Sequence, residues 1–288
     1  MSIVIEHLNY VYMQGGPYET KALNDVSLTI NDGEFIGLIG HTGSGKSTLV
    51  QHLNGLIMPS SGRVLVDGLD LADKNTDRRA IRRRVGLVFQ YPEYQLFEET
   101  VAKDIAFGPK NLGLDEAEID RRVRTAMRRV ALDYDKLAER SVFELSGGQM
   151  RRVAIAGVLA MEPQTLVLDE PCAGLDPRGR EEILGLISDL HRESGTTIVM
   201  VSHSMDDVAA LAERVIVMNH GSVVMDGTPR EVFAKGEELR AIGLDVPQAV
   251  ELAQKLREKG FDIPEGIYQM DEVRAAVEAA IGKGGRHA

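Results

Sequence analysis

Short apolar runs bounded by turn residues alternate along this chain with longer stretches in which apolar positions recur every three or four residues, the signature of strands interleaved with helices. From Ile3 to Ile39 the pattern predicts strands, including VSLTI (Val26 to Ile30), the turn Asn31-Asp32-Gly33 and the continuous apolar run from Phe35. From Ser47 onward (STLVQHLNGL) the spacing is helical. A second strand-rich piece, GRVLVDG (Gly62 to Gly68), precedes a basic helix and then VGLVFQ, which ends at Gln90. Between Gln90 and Ser146 helical periodicity takes over, clearest from Leu114 to Leu132 with Asp115 as its cap, which predicts a helical insertion over about residues 91–145. A helix from Met150 to Met161 then leads to TLVLDEP, a further helix, TTIVMVSHS and RVIVMNHG. This order implies an α/β fold with a mostly parallel core sheet covered on both faces, preceded by an antiparallel β part.

The character changes after Asn219-His220-Gly221. Thr228-Pro229-Arg230-Glu231 reads as a helix start, with Thr as cap, Pro in the first turn and Glu reaching back. Amphipathic helices follow from Pro247 to Lys259, stopped by Gly260, and from Met270 to Ile281, before the short tail GKGGRHA. The expected division is a domain over residues 1–220 and a small helical C-terminal extension over 221–288.

Composition narrows the function. The 288 residues carry 33 basic and 44 acidic side chains, a formal net charge of -11, which repels a polyanion over most of the surface and argues against nucleic acid as partner. The single cysteine, Cys172, cannot form an internal disulfide, and MSIVIEHLNY lacks the basic-then-apolar pattern of an export signal, so a cytosolic compartment is expected. No stretch approaches the 18 or more apolar residues of a membrane helix, which leaves docking on a membrane partner as the route to a bilayer.

The chemistry is concentrated in a few segments. Gly40-His41-Thr42-Gly43-Ser44-Gly45-Lys46-Ser47-Thr48 fits G-x-x-x-x-G-K-[ST], in which glycines let backbone N–H groups close on phosphate oxygens. Lys46 is expected on the β/γ-phosphates of ATP, Ser47 on Mg²⁺, and Thr48 as a cap or support of the next helix. Asp169 stands at the C-terminal end of an apolar strand, where α/β sheets place ligands, and is a second Mg²⁺ ligand candidate. Glu170 follows and is the expected general base for in-line attack of water on the γ-phosphate. Gln90 and His203 each stand just past an apolar strand, hence on the same sheet edge; Gln90 is assigned to Mg²⁺ or water and His203 to the γ-phosphate and to holding Glu170. Ser146-Gly147-Gly148-Gln149 before a helix offers either an anion site or an ordinary glycine-rich cap.

Taken together, GHTGSGKST, Gln90, LSGGQ (Leu145 to Gln149), TLVLDEP, AGLD (Ala173 to Asp176) and His203 resemble the ATPase subunit of ATP-binding cassette (ABC) proteins, in order, from about residue 3 to 225. The resemblance implies a phosphate-loop ATPase that works as a head-to-tail dimer, with Ser146 acting on the partner's nucleotide. It also implies an aromatic residue stacked on adenine, with Tyr12 the first choice and Tyr18 the alternative. The run FQYPEYQLFEETVAKDIAFGP (Phe89 to Pro109), with the helical C-terminal extension, resembles the energy-coupling factor branch of ABC importers that take up vitamins. That branch implies a second ATPase subunit, commonly nonidentical though a homodimer is possible, a transmembrane coupling protein, a small substrate-capturing membrane protein, and a peripheral location on the cytoplasmic face of the cell membrane. Tyr91, Pro92, Leu96 and Phe97 are the expected apolar contacts to the coupling helices. Cys172 departs from the usual small residue after the Asp-Glu pair with little expected effect.

A rival reading is a soluble ABC ATPase acting on DNA or ribosomes, suggested by the arginines at positions 78, 79, 82, 83 and 84 and at 121, 122, 124, 128 and 129. Interspersed acids and the lack of interleaved aromatics favour a solvated or membrane-proximal face instead.

Overall fold

The computed structural model describes residues 2–284; of the tail GKGGRHA, residues 285–288 lie outside the described residues. Among the described residues ten strands run in chain order: β1 (Ile3–Tyr12), β2 (Thr20–Ile30), β3 (Phe35–Ile39), β4 (Ser61–Val66), β5 (Leu69–Asp70), β6 (Val85–Val88), β7 (Thr165–Asp169), β8 (Thr197–Val201), β9 (Arg214–Asn219) and β10 (Ser222–Gly227). They form an antiparallel sheet in the order β2-β1-β4-β5 and a six-stranded sheet in the order β10-β9-β3-β8-β7-β6. In the second sheet β9, β3, β8, β7 and β6 run parallel and β10 returns antiparallel to β9.

The continuous apolar runs are explained by burial on both faces. Leu166, Leu168, Ile198 and Met200 face one hydrophobic cluster, while Val167, Val199 and Val201 from the same strands face another. The first cluster packs the sheet against the helices Val101–Asn111, Glu116–Arg129, Gly147–Leu159 and Pro177–Ser194. The second packs it against the helix Lys46–Leu53 and the antiparallel sheet. Because β3, β7 and β8 are parallel, their C-terminal ends share one edge, and the loops that leave that edge carry the phosphate-loop, Asp169-Glu170 and His203 segments.

The insertion is helical as expected, and Asp115 caps Glu116–Arg129 by accepting from the Glu118 N–H. Two boundaries differ. The helix expected from Met150 begins at Gly147, because Ser146 and Gln149 close a capping box that extends it by a turn. Residues 222–227, read as part of a helical extension, form β10 at the sheet edge, pinned by its antiparallel register to β9. Beyond it the extension is helical, and the Thr228–Glu231 capping box forms as the sequence demands. Val232, Phe233, Leu239, Leu244 and Val246 join the main core, whereas Ala249, Ala253, Ile263, Ile267 and Val273 make a separate small cluster.

Candidate nucleotide site

The loop between β3 and the helix Lys46–Leu53 bends through backbone conformations that side chains disfavour. Gly45 has φ of 103°, and a Cβ there would lie 2.7 Å from the Ala22 carbonyl oxygen. Lys46 Nζ donates to the carbonyls of Gly40 at 2.6 Å and His41 at 3.1 Å, which fixes the ammonium at the centre of the loop. Burial lowers its pKa, while Glu170 and Asp169 nearby oppose that shift. Thr42, Gly43, Gly45, Lys46, Ser47 and Thr48 line a cavity of about 490 Å³. Gly40, His41 and Ser44 stand behind it: Gly40 and His41 supply the carbonyls, the His41 imidazole meets Asn219, and the Ser44 hydroxyl is buried without a hydrogen-bond partner among the described residues.

Gln90, Asp169, Glu170 and His203 line the same cavity from the strand ends. Burial raises the Asp169 pKa, opposed by a hydrogen bond from the Ser47 hydroxyl and by the charge of Lys46. Glu170 is more strongly affected: burial, and further the neighbouring Asp169 charge, push its pKa to about 7, although a His203 backbone N–H favours the carboxylate. Its Oε1 is buried with no hydrogen-bond partner among the described residues, 3.4 Å from His203 Nε2. Burial also holds the His203 imidazole below its ordinary pKa, with Lys46 acting in the same direction. A carboxyl group whose pKa sits near neutrality, on a residue that lines this cavity, is equipped to take a proton from water.

The donor set also fits a hard divalent cation. A hydroxyl, a carboxamide and one carboxylate converge there, and no group of three His, Cys, Asp or Glu able to hold a metal occurs among the described residues. Such a set suits Mg²⁺ shared with phosphate oxygens.

Of the two tyrosines, Tyr12 lines the cavity and its hydroxyl lies 3.2 Å from Thr48 Oγ1; Tyr18 is 77% exposed and does not line it. Tyr10 meets Tyr12 edge-on at 4.8 Å. Thr48 thus supports the ring rather than capping the helix. Thr20, Lys21 and Ala22 also line the cavity, which the sequence reading did not anticipate because nothing local marks them. Ser146, Gly147, Gly148 and Gln149 do not line it. They sit on an outward helix start where Ser146 and Gln149 bond each other, leaving the glycine N–H groups for an external ligand.

A second cavity, of about 730 Å³, opens beside the insertion. Leu96 and Phe97 line it together with Phe107, Leu112 and Met161, and Arg79, Arg82 and Arg83 add charge. Tyr91 and Pro92, also expected there, do not line it. Pro92 is buried, and Tyr91, in a left-handed backbone turn, lies against Gly174.

Phosphate loop, strand-end carboxylates and a detached glycine-capped helix, set on one parallel sheet with an antiparallel β part and a helical insertion, define a phosphate-loop ATPase of the cassette type. Residues 23–173 match the ABC transporter family. The chain is 60% identical over 278 residues to an energy-coupling factor transporter ATP-binding protein, EcfA2, of Clostridioides difficile, covering 96% of each. It is 61% identical over 281 residues to the protein of that name in Symbiobacterium thermophilum, covering 98% of this chain and 97% of the other. Among solved structures it superposes on cbiO1 of Clostridium perfringens, part of the ABC transporter complex cbiONQ, with TM-score 0.74 and 40% identity over 89% of this chain and 98% of that one. A dimeric ATP-binding cassette in a post-hydrolysis state bound to ADP and Pi gives TM-score 0.69 and 30% identity over 79% of this chain and 98% of that one. The chain belongs to the energy-coupling factor branch of the ABC transporter ATP-binding family, and it is an ATP-hydrolysing subunit of that class.

Proposed function

We propose that this chain binds MgATP in the cavity around Lys46, pairs head to tail with a second cassette subunit, and transmits closure of the pair to a transmembrane partner that imports a vitamin or related micronutrient. The observation that carries the reading is the convergence of Lys46, Ser47, Gln90, Asp169, Glu170 and His203 on one cavity that the Ser146 helix does not reach. In this reading a second subunit supplies that helix.

In this mechanism Lys46 donates to the β/γ-phosphates and Tyr12 stacks on adenine. Ser47, Gln90 and Asp169 would hold Mg²⁺, which when bound would supply charge to neutralise phosphate oxygens. Glu170 accepts the proton of the attacking water and His203 steadies both Glu170 and the γ-phosphate. The partner's Ser146 equivalent closes the far side of the triphosphate. The second ATPase subunit is proposed to be nonidentical. The transmembrane coupling protein enters the groove at Leu96 and Phe97 and also holds a small substrate-capturing membrane protein. No helix among the described residues is long and apolar enough to cross a membrane, which is consistent with a peripheral seat on the cytoplasmic face.

Replacing the base tests the chemistry. Glu170→Gln is expected to retain ATP, to trap the closed pair, and to lose on the order of 10² to 10⁴ in turnover; normal hydrolysis would remove the assignment. For the groove, Phe97→Ala is expected to reduce recovery of the membrane partner in affinity purification from detergent-extracted membranes, and unchanged recovery would reject the docking surface.

A further inference from the structure

Arg151, in the helix Gly147–Leu159, has a side chain only 1% exposed. A buried guanidinium needs partners for its charge and for its five donors. It finds them in two separate loops. Nε and Nη2 grip both carboxylate oxygens of Glu93, at 3.0 and 2.7 Å. Nη1 donates to the carbonyls of Pro171 at 3.0 Å and Ala173 at 2.8 Å.

Glu93 belongs to the short 3₁₀ turn Pro92–Gln95, between Gln90 and the groove residues Leu96 and Phe97. Pro171 and Ala173 belong to the turn that begins at Glu170 and closes through the Ala173 N–H to the Glu170 carbonyl, at 3.1 Å. A separate contact joins the same loops. A Cβ on Gly174 would lie 3.2 Å from Tyr91 Cε1, so the Tyr91 ring rests on backbone that a glycine, at φ of 74°, leaves open.

We propose that Arg151 is a positioning residue: by holding Glu93 and the Glu170 turn on one guanidinium, it couples the loop beside the groove to the placement of the catalytic carboxylate. The coupling to a membrane partner rests on the groove reading above. A fork of this kind is directional, and the packed interior leaves the side chain no slack, so a shift of Glu93 moves the two carbonyls with it. Lysine, a single point charge, cannot hold both carboxylate oxygens and both carbonyls. Neither Arg151 nor Glu93 lines the nucleotide cavity, so ATP affinity is spared.

The test is Arg151→Lys, Glu93→Gln and the double variant in the purified transporter complex, with turnover expressed per nucleotide-binding site so that unfolded molecules are not counted. The expected result is a fall in kcat on the order of tenfold or more in each single variant, with KM for ATP changed by less than about twofold. The double variant should be no worse than the poorer single, since both changes cut one tether. Unchanged kcat, additive losses, or a rise in KM that accounts for the whole effect would overturn the tether. Full recovery of the membrane partner by Phe97→Ala would instead overturn only its coupling to the groove, because the kcat readout does not depend on that surface.

Discussion

Glu170 and Cys172, two residues apart, show how burial sets chemistry at this sheet edge. The Glu170 carboxyl keeps its proton up to about pH 7 in the folded chain, whereas an unfolded chain releases it near the ordinary carboxylate value of about 4.3. Between those values the folded state binds more protons than the unfolded one, so stability falls as pH rises through that window. Glutamine carries no such penalty. Glu170→Gln without nucleotide and in chelator should therefore be more stable than the parent at pH 8, by up to about 3 kcal/mol, and no different near pH 4. Thermal unfolding at the two pH values measures this, and equal melting temperatures at pH 8 would refute the raised pKa. Burial, aided by the charge of Asp207, pushes the Cys172 thiol up to about 11. At pH 8 its thiolate is on the order of one part in a thousand, against roughly a quarter for a free cysteine. Iodoacetamide should label Cys172 about a hundredfold more slowly in the native chain than in denaturant, as read by mass spectrometry.

At the scale of elements, the C-terminal segment divides at a point the sequence does not display. Cutting after Gly221 removes β10 and the core side chains Val232 and Phe233, and is expected to leave an insoluble or unfolded chain. Cutting after Val246 removes the small cluster around Ala253 and Ile267, with Val250 and Tyr268 that lean on the main core from outside, but no fully buried member of that core, and should leave a cooperative fold, measured by circular dichroism. If the later cut also lowers association with the second ATPase, the extension supports pairing; unchanged association would end that idea. The phosphate loop, the strand ends and the caps at Asp115 and Thr228 were legible because each is written in consecutive residues with its own turn chemistry. β10 was not, since SVVMDG shows only weak alternation and owes its state to pairing with β9. The Arg151–Glu93 pair was hidden for a related reason. Its partners are 58 residues apart, and an arginine two positions past LSGGQ looks like a solvated charge until the loops are folded over it.

For the whole molecule the decisive fact is a division of labour. The cavity gathers Lys46, the proposed cation ligands Ser47, Gln90 and Asp169 and the proposed base Glu170, while the capped helix at Ser146 presents its glycine N–H groups elsewhere on the surface. If that helix binds the γ-phosphate of a second subunit, the two halves must fail in different assays. Lys46→Ala removes the ammonium that donates to the Gly40 carbonyl at the centre of the loop, and should abolish binding of a fluorescent ATP analogue by the isolated chain. Ser146→Arg should leave that binding within about twofold of the parent, because position 146 does not line the cavity. It should nevertheless prevent MgATP-dependent association of the Glu170→Gln chain with the second ATPase subunit in size-exclusion chromatography, since a long cation at the helix N-terminus opposes its dipole and blocks the seam. Loss of analogue binding in the Ser146 variant would mean that one chain closes over its own nucleotide, and the paired arrangement would have to be abandoned.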